Sequence, residues 1–228
     1  MNEETIFYHV RLSRRAKWMR IQIRPDTGVV VTAPLSAGSD EIQVFLARHK
    51  RWIARQLSRF SQTHQRIPKR WPYGQTLPYR GQEFAVEIQA GRPARVLQEG
   101  NQISVLLVRP TIENARRLLR RWYVQEALRV LGETVKRWAP ALGVDWKRVG
   151  VGNQRSRWGS CSAAGTLRFN YRLVMAPPEI LDYVVVHELA HRKELNHSSR
   201  FWGLVERHVP DYKTARRWLT TDGLYLGV

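Results

Sequence analysis

The sequence is short of acid and almost without cysteine. Only 19 Asp and Glu stand against 38 Lys and Arg, a formal net charge of +19, and the pI is near 11.1. That balance excludes an acidic chain and predicts attraction to polyanions such as nucleic acid, through a charge term that reads no base sequence. Cys161 is the single cysteine, which excludes an intramolecular disulfide and makes a reducing cytoplasm the expected compartment. Long apolar runs are missing too. The longest, "YVVV" and "ISVLLV", fall far short of the ~18 residues a membrane span requires, so no membrane association is expected. The opening "MNEETIFYHVRLSRR" has no apolar core and no small-residue cleavage site, so no leader is expected either. What is present is ordinary for a folded protein: 43% hydrophobic and 25% charged residues over 228 positions, enough to bury a core.

Alternating residues in "IFYHVRLS" and "WMRIQIRP", the turn "PDTG" and the run "VVVTAP" predict strands over residues 6–33. Arg11, Arg14, Arg15, Lys17, Arg20 and Arg24 crowd them, several on one solvent face. "SAGSDEIQVFLARHKRWIARQLSRF" predicts a helix with Ser39 as N-cap and Asp40 and Glu41 in its first turn. The Pro- and Gly-rich stretch 62–81 is expected to be a connector. Short strands follow in "QEFAVEIQ" and, about a Glu-Gly-Asn turn, in "ARVLQEGNQISVLLV". A long helix runs from a Thr111 cap, buries Leu118, Leu119, Trp122, Tyr123, Ala127, Val130 and Leu131, and ends at Pro140 and Gly143. "RSRWGSCS" and "TLRFNYRLV" form a hairpin about "AAG", and Pro177 and Pro178 suit the start of the next helix. The expected class is α+β, with a β-rich basic domain over 1–110 and a mainly helical domain with a short sheet over 111–228.

That next helix carries "LDYVVVHELAHRKELNH", residues 181–197. Residues four apart share a helix face, so His187 and His191 aim at one point, which suits a zinc ion. Glu188 then stands beside the ion, where a carboxylate takes a proton from a polarised water. This is the logic of the His-Glu-x-x-His signature of zinc peptidases. A third protein ligand is needed, leaving one position open. His197 is the leading candidate, with His208, Glu206 and Glu194 as rivals. Six steps of ~100° do not return to the starting direction, so His197 requires a break in the helix, and Asn196 is the expected left-handed residue. No methionine follows Met175, which excludes a metzincin Met-turn. Ser198 is expected to cap a further helix.

Several side chains fall near this centre. Arg155, or its neighbour Arg157, is the candidate cation for an oxyanion, phosphate or carboxylate. Asn170 either holds a ligand imidazole or satisfies a strand end, Tyr183 is expected in the core, and Cys161 is expected as small packing. Phe201 and Trp202 follow the third candidate ligand and are expected to fix its direction.

Arg157–Cys161, Asn170–Leu173, Tyr183–His191, Asn196–Ser198 and Phe201 with Trp202 together resemble the YgjP-like metallopeptidase family, related to SprT-like and other minimal zincin domains. Looser similarity covers most of the chain. The resemblance implies a zincin-like core, a metal-dependent hydrolase, and His187, His191 and His197 as the metal ligands. The expected activity is therefore zinc-dependent hydrolysis of peptide bonds in a peptide or protein, with Glu188 as the base and Arg155 as the assisting cation. Two alternatives stand beside it. One is hydrolysis of a nucleotide phosphoanhydride, to which an all-imidazole site is less suited than a carboxylate-bound magnesium site. The other is nucleic-acid binding by the basic N-terminal part.

Overall fold

Val29, Val31 and Ala33, alternate residues of one short run, lose nearly all their surface to solvent. A strand buries every second side chain against whatever covers one face, and these three mark that face. In a computed structural model, which describes residues 7–24, 28–66, 71–72, 75–154 and 156–226, the chain divides into two compact units, Met1–Ile67 and Pro68–Val228.

The first unit has strands β1 (Tyr8–Ser13), β2 (Arg20–Arg24) and β3 (Gly28–Pro34) in the order β1-β3-β2. The central β3 runs antiparallel to β2 and parallel to β1. Helix α1 (Ser39–Arg66) packs Ile42 against Val31 and Ala33. Ser39, expected as its cap, is its first helical residue, and the Glu41 carboxylate accepts the Gly38 N–H at 3.2 Å. The "PDTG" turn lies largely outside the described residues.

The second unit opens with β4 (Thr76–Tyr79), β5 (Gln82–Ala90), β6 (Arg95–Glu99) and β7 (Gln102–Leu107), in the order β4-β5-β7-β6. β4 falls in the stretch expected as a connector. Pro78 disguised it, yet a residue without an N–H is tolerated on an edge strand, and Leu77 and Tyr79 are buried. Helix α2 (Ile112–Leu142) covers this sheet. Thr111 caps it, accepting the Asn114 N–H at 3.2 Å, and Gly143 closes it in the left-handed conformation at φ 62°. Pro140 is accommodated within its last turns. Leu77, Phe84, Ile103 and Val105 share one core with Leu119, Tyr123 and Ala127. The boundary expected near residue 110 thus falls inside this unit, because the sheet buries its apolar face on α2.

Strands β8 (Arg148–Gly152), β9 (Gly159–Cys161) and β10 (Thr166–Asn170) form a third sheet in the order β8-β10-β9. β9 and β10 are the expected hairpin, and β8 pairs with β10 in parallel. A 3-10 turn (Tyr171–Met175) leads to α3 (Pro178–Ala190), and α4 (Ser199–His208) and α5 (Tyr212–Thr221) pack on it. Ile180, Leu181, Val184, Val185, Val186, Leu189 and Ala190 make α3 apolar nearly all round, the pattern of a helix enclosed by its neighbours. Burial of each large aliphatic side chain contributes about 1.5–3 kcal/mol, which is why this helix can hold polar groups in place. The class is α+β, as expected. Among the described residues, no helix is long and apolar enough to cross a membrane.

Candidate metal centre

Helix α3 ends on the residues that matter. His187 and His191 occupy its last turn and its C-terminal cap, and their ring centroids are 5.1 Å apart. The helix then closes: the Arg192 and Lys193 N–H groups tighten onto the carbonyls three residues back, Leu189 and Ala190, and the Glu194 N–H shares the Ala190 carbonyl. No left-handed residue is involved, and Asn196 does not have a positive φ. The expected break therefore comes five residues earlier than Asn196, at His191 itself. The reversal is anchored by Arg192, which donates to the Asp145 and Ala163 carbonyls at 3.2 and 2.7 Å. It brings His197 back over the helix end.

His197 Nε2 faces His187 Nε2 at 3.1 Å. One nitrogen from each of His187, His191 and His197 lies within 4.8 Å of the others, the one such cluster among the described residues. Two nitrogens bound to one tetrahedral zinc at ~2.0–2.1 Å stand ~3.3–3.4 Å apart, close to the spacing seen. His191 Nδ1 donates to the Glu194 carbonyl at 3.0 Å, a bond that leaves its Nε2 lone pair free to coordinate. Burial, then the neighbouring His191 and His197, hold the His187 imidazole far down, at about 3, so it stays neutral as a ligand must. His187 Nδ1 is buried without a hydrogen-bond partner among the described residues, so its bonding runs through Nε2. These residues fit a divalent transition metal. The rivals are engaged elsewhere: both His208 nitrogens face backbone carbonyls, of Leu204 and Ala141, and Glu206 pairs with Lys213 at 3.6 Å. Glu194 contributes its backbone carbonyl rather than its carboxylate.

Phe201 is the floor beneath the three rings. It is fully buried, with its ring 4.9, 4.6 and 4.8 Å from those of His187, His191 and His197. Ser198 caps α4 as expected, accepting the Phe201 N–H at 3.4 Å. Tyr183 is buried against His187 and belongs to the core, as expected.

Glu188 is 6% exposed, and burial raises its carboxyl to about 7 against the opposing charge of Arg157. It faces β9 at Gly159, where even a methyl group would stand 2.5 Å from Glu188 Oε1. Arg157, Gly159, Ser160, Cys161, Glu188 and the three histidines line one cleft of about 430 Å³, with Leu195, 82% exposed, at its mouth. Arg155 lies outside the described residues, so of the two candidate cations the structure brings Arg157 to the cleft. Asn170 takes the strand-end role: it donates to the Gln154 carbonyl at 2.8 Å and accepts the Arg172 N–H. Cys161 both packs on the core and borders the cleft, and its thiol is pushed up by burial and then by Glu188.

The cleft also runs along a free sheet edge. Trp158 with Asn170, and Ser162 with Thr166, are hydrogen-bonded across the β9–β10 hairpin. By antiparallel alternation the intervening Gly159 and Cys161 turn their N–H and C=O groups outward, away from β10.

The family described as YgjP-like, metallopeptidase domain, matches residues 17–222. The crystal structure of the metallopeptidase zymogen abylysin of Pyrococcus abyssi is similar to this chain at 26% identity, covering 40% of this chain and 92% of that one, with a TM-score of 0.37. That of the zymogen jannalysin of Methanocaldococcus jannaschii is similar at 20% identity, with coverages of 40% and 95% and a TM-score of 0.37. No curated protein matches the chain.

Proposed function

Because the chain belongs to the YgjP-like metallopeptidase family over residues 17–222, and is on that ground a metal-dependent peptidase, we propose that its metal is zinc, held by His187, His191 and His197, and that Glu188 is its general base. Zinc in such a site supplies a Lewis acid that polarises a peptide carbonyl and makes water a nucleophile near neutral pH. Glu188 takes the proton of the attacking water and returns it to the leaving amine nitrogen. Its buried carboxyl, held in place by Gly159, keeps that proton on a short path. Arg157 is, among the described residues, the cation that lines the cleft with this carboxylate, and it stabilises negative charge that develops on the substrate oxygen. An extended peptide adds to the outward N–H and C=O groups of Gly159 and Cys161, so main-chain bonds align it without regard to its side chains.

The 3.1 Å approach of His197 Nε2 to His187 Nε2 carries this reading, since it draws a third donor from outside the helix into the pair at its end. The all-nitrogen donor set and the peptidase family favour peptide hydrolysis over hydrolysis of phosphoanhydrides. Protein purified without chelator is expected to contain one zinc per chain and to cleave an unfolded protein, with no phosphate released from nucleotides by the same preparation. Glu188→Gln is expected to keep the zinc and lose about 10²–10⁴-fold in turnover. Wild-type turnover in that variant, or a chain without stoichiometric metal, overturns the proposal.

A further inference from the structure

One face of the N-terminal sheet carries none of the residues that line the candidate metal cleft. The buried residues of β3 point toward α1, so Val30 and Thr32 point the other way. Register places His9 and Gln22 on either side of Val30, and Arg11 and Arg20 on either side of Thr32. Paired residues of adjacent strands project to the same side, so this face reads His-Val-Gln in one row and Arg-Thr-Arg in the next. The segment between β1 and β2 adds the exposed Arg14, Arg15 and Lys17. Among the described residues of this unit the acidic side chains are Asp40 and Glu41, both at the start of the helix on the opposite face. Among the described residues of the unit, then, no acidic side chain faces the positive charge of this sheet face.

Two large aromatics accompany it. Trp18, just before β2, is 84% exposed, and Phe7, just before β1, is 86% exposed. Because β1 and β2 run in opposite directions beside β3, the two stand at opposite ends of the sheet. Neither contributes to the core of its unit. Exposing two aromatic faces to water while surrounding one of them with cations is unfavourable for the isolated fold, and it suits a ligand that is both anionic and planar.

We infer that the open face of the β1-β3-β2 sheet binds single-stranded nucleic acid, with Arg11, Arg20 and the 14–17 cations on the phosphates and Trp18 stacked on a base. A single strand offers phosphates to the arginines, unpaired base edges to Gln22, Thr32 and His9, and ring faces to the aromatics. An acidic polypeptide matches the charge alone and leaves the aromatics without a partner. An anionic membrane surface calls for a continuous apolar area, whereas on this face Val30 stands alone among cations and neutral polar groups.

The test uses the full chain and a short fluorescent oligothymidylate over a salt series. Wild type should bind with a negative slope of log affinity on log salt of ~0.7 per phosphate neutralised. The double variant Arg11→Ala/Arg20→Ala should flatten that slope by roughly 1.4. Trp18→Ala should weaken binding roughly 5- to 150-fold with the slope unchanged, because stacking releases no counterion. Arg48→Ala, on the helix covering the other face, should bind as wild type. Absence of binding, an equal loss in Arg48→Ala, or insensitivity to Trp18→Ala each overturns the assignment. So does tighter binding to polyglutamate, or to vesicles containing phosphatidylserine, than to the oligonucleotide.

Discussion

Trp202 lies nearly flat on His197, with ring centroids 5.6 Å apart and planes inclined by 25°. Its other neighbours hold it there: Tyr212 stacks on it at 5.1 Å and 17°, and the Arg216 guanidinium sits over it at 5.3 Å. His197 is the exposed member of the three and comes from a loop, whereas its partners come from a buried helix. The stack therefore supplies the rigidity that the backbone does not. Trp202→Ala is expected to weaken zinc binding about 10–100-fold, the range for loss of a group that orients a ligand. Competition against a chromogenic chelator measures it, and Trp202→Phe should recover part of the loss. Unchanged affinity in Trp202→Ala would show that the stack does not position the imidazole.

Gly159 allows Glu188 to stand where it does. A Cβ at 159 would lie 2.5 Å from Glu188 Oε1 and 2.7 Å from its Cγ, so Gly159→Ala must displace the carboxylate. The three atoms nearest that Cβ all belong to Glu188, so the clash falls on its side chain first. The expected outcome is a fall in kcat approaching that of Glu188→Gln, with metal content unchanged. Metal analysis alongside single-turnover kinetics separates this from loss of the centre. Equal losses of zinc and activity would count against Gly159 as a cradle for the base.

That His187 and His191 come together was legible because helical spacing alone aligns residues four apart, and the approach of His197 to them because a chain reversal had to follow. How the reversal is made was not legible. Asn196 looked like the turn residue, but tightened backbone bonds and the side chain of Arg192 end the helix at His191, and that side chain reaches partners 29 and 47 positions away. The closeness of Gly159 to Glu188 is likewise a tertiary fact that no periodicity reports. Pro78 hid β4 because proline forbids a central strand, and the sequence does not say which strands are edges. The helix caps Thr111, Gly143 and Ser198 were legible because they depend only on local backbone chemistry, which the sequence states directly.

Arg192 is expected to matter through its backbone partners more than through its charge. It donates to the Asp145 and Ala163 carbonyls and pairs with the Asp145 carboxylate at 3.0 Å, but that carboxylate is 90% exposed. An exposed ion pair contributes about 0–1 kcal/mol, and each hydrogen bond about 0.5–1.5 kcal/mol. Arg192→Ala is therefore expected to lower stability by about 1–3 kcal/mol and to loosen the loop that carries His197, whereas Asp145→Ala should cost less than about 1 kcal/mol. Urea unfolding of the two variants makes the comparison. Equal losses would assign the clamp to the ion pair.

The link between β4 and α2 should be lost in acid. Tyr79 donates to Glu126 at 2.8 Å and Arg129 to the same oxygen at 2.7 Å. Burial by itself raises the Glu126 carboxyl, but the bonds from Arg129 and then Tyr79 outweigh it and hold the group below its ordinary 4.5. A carboxyl depressed on folding adds stability that is fully present above its unfolded value and disappears as pH falls through its folded one. The unfolding free energies of wild type and Glu126→Gln should therefore differ by a constant amount down to about pH 4.5 and converge below it. Denaturant melts at neutral pH and at a series of acid pH values measure the gap. A gap that stays constant to strong acid would mean that the carboxylate charge is not the source of the difference.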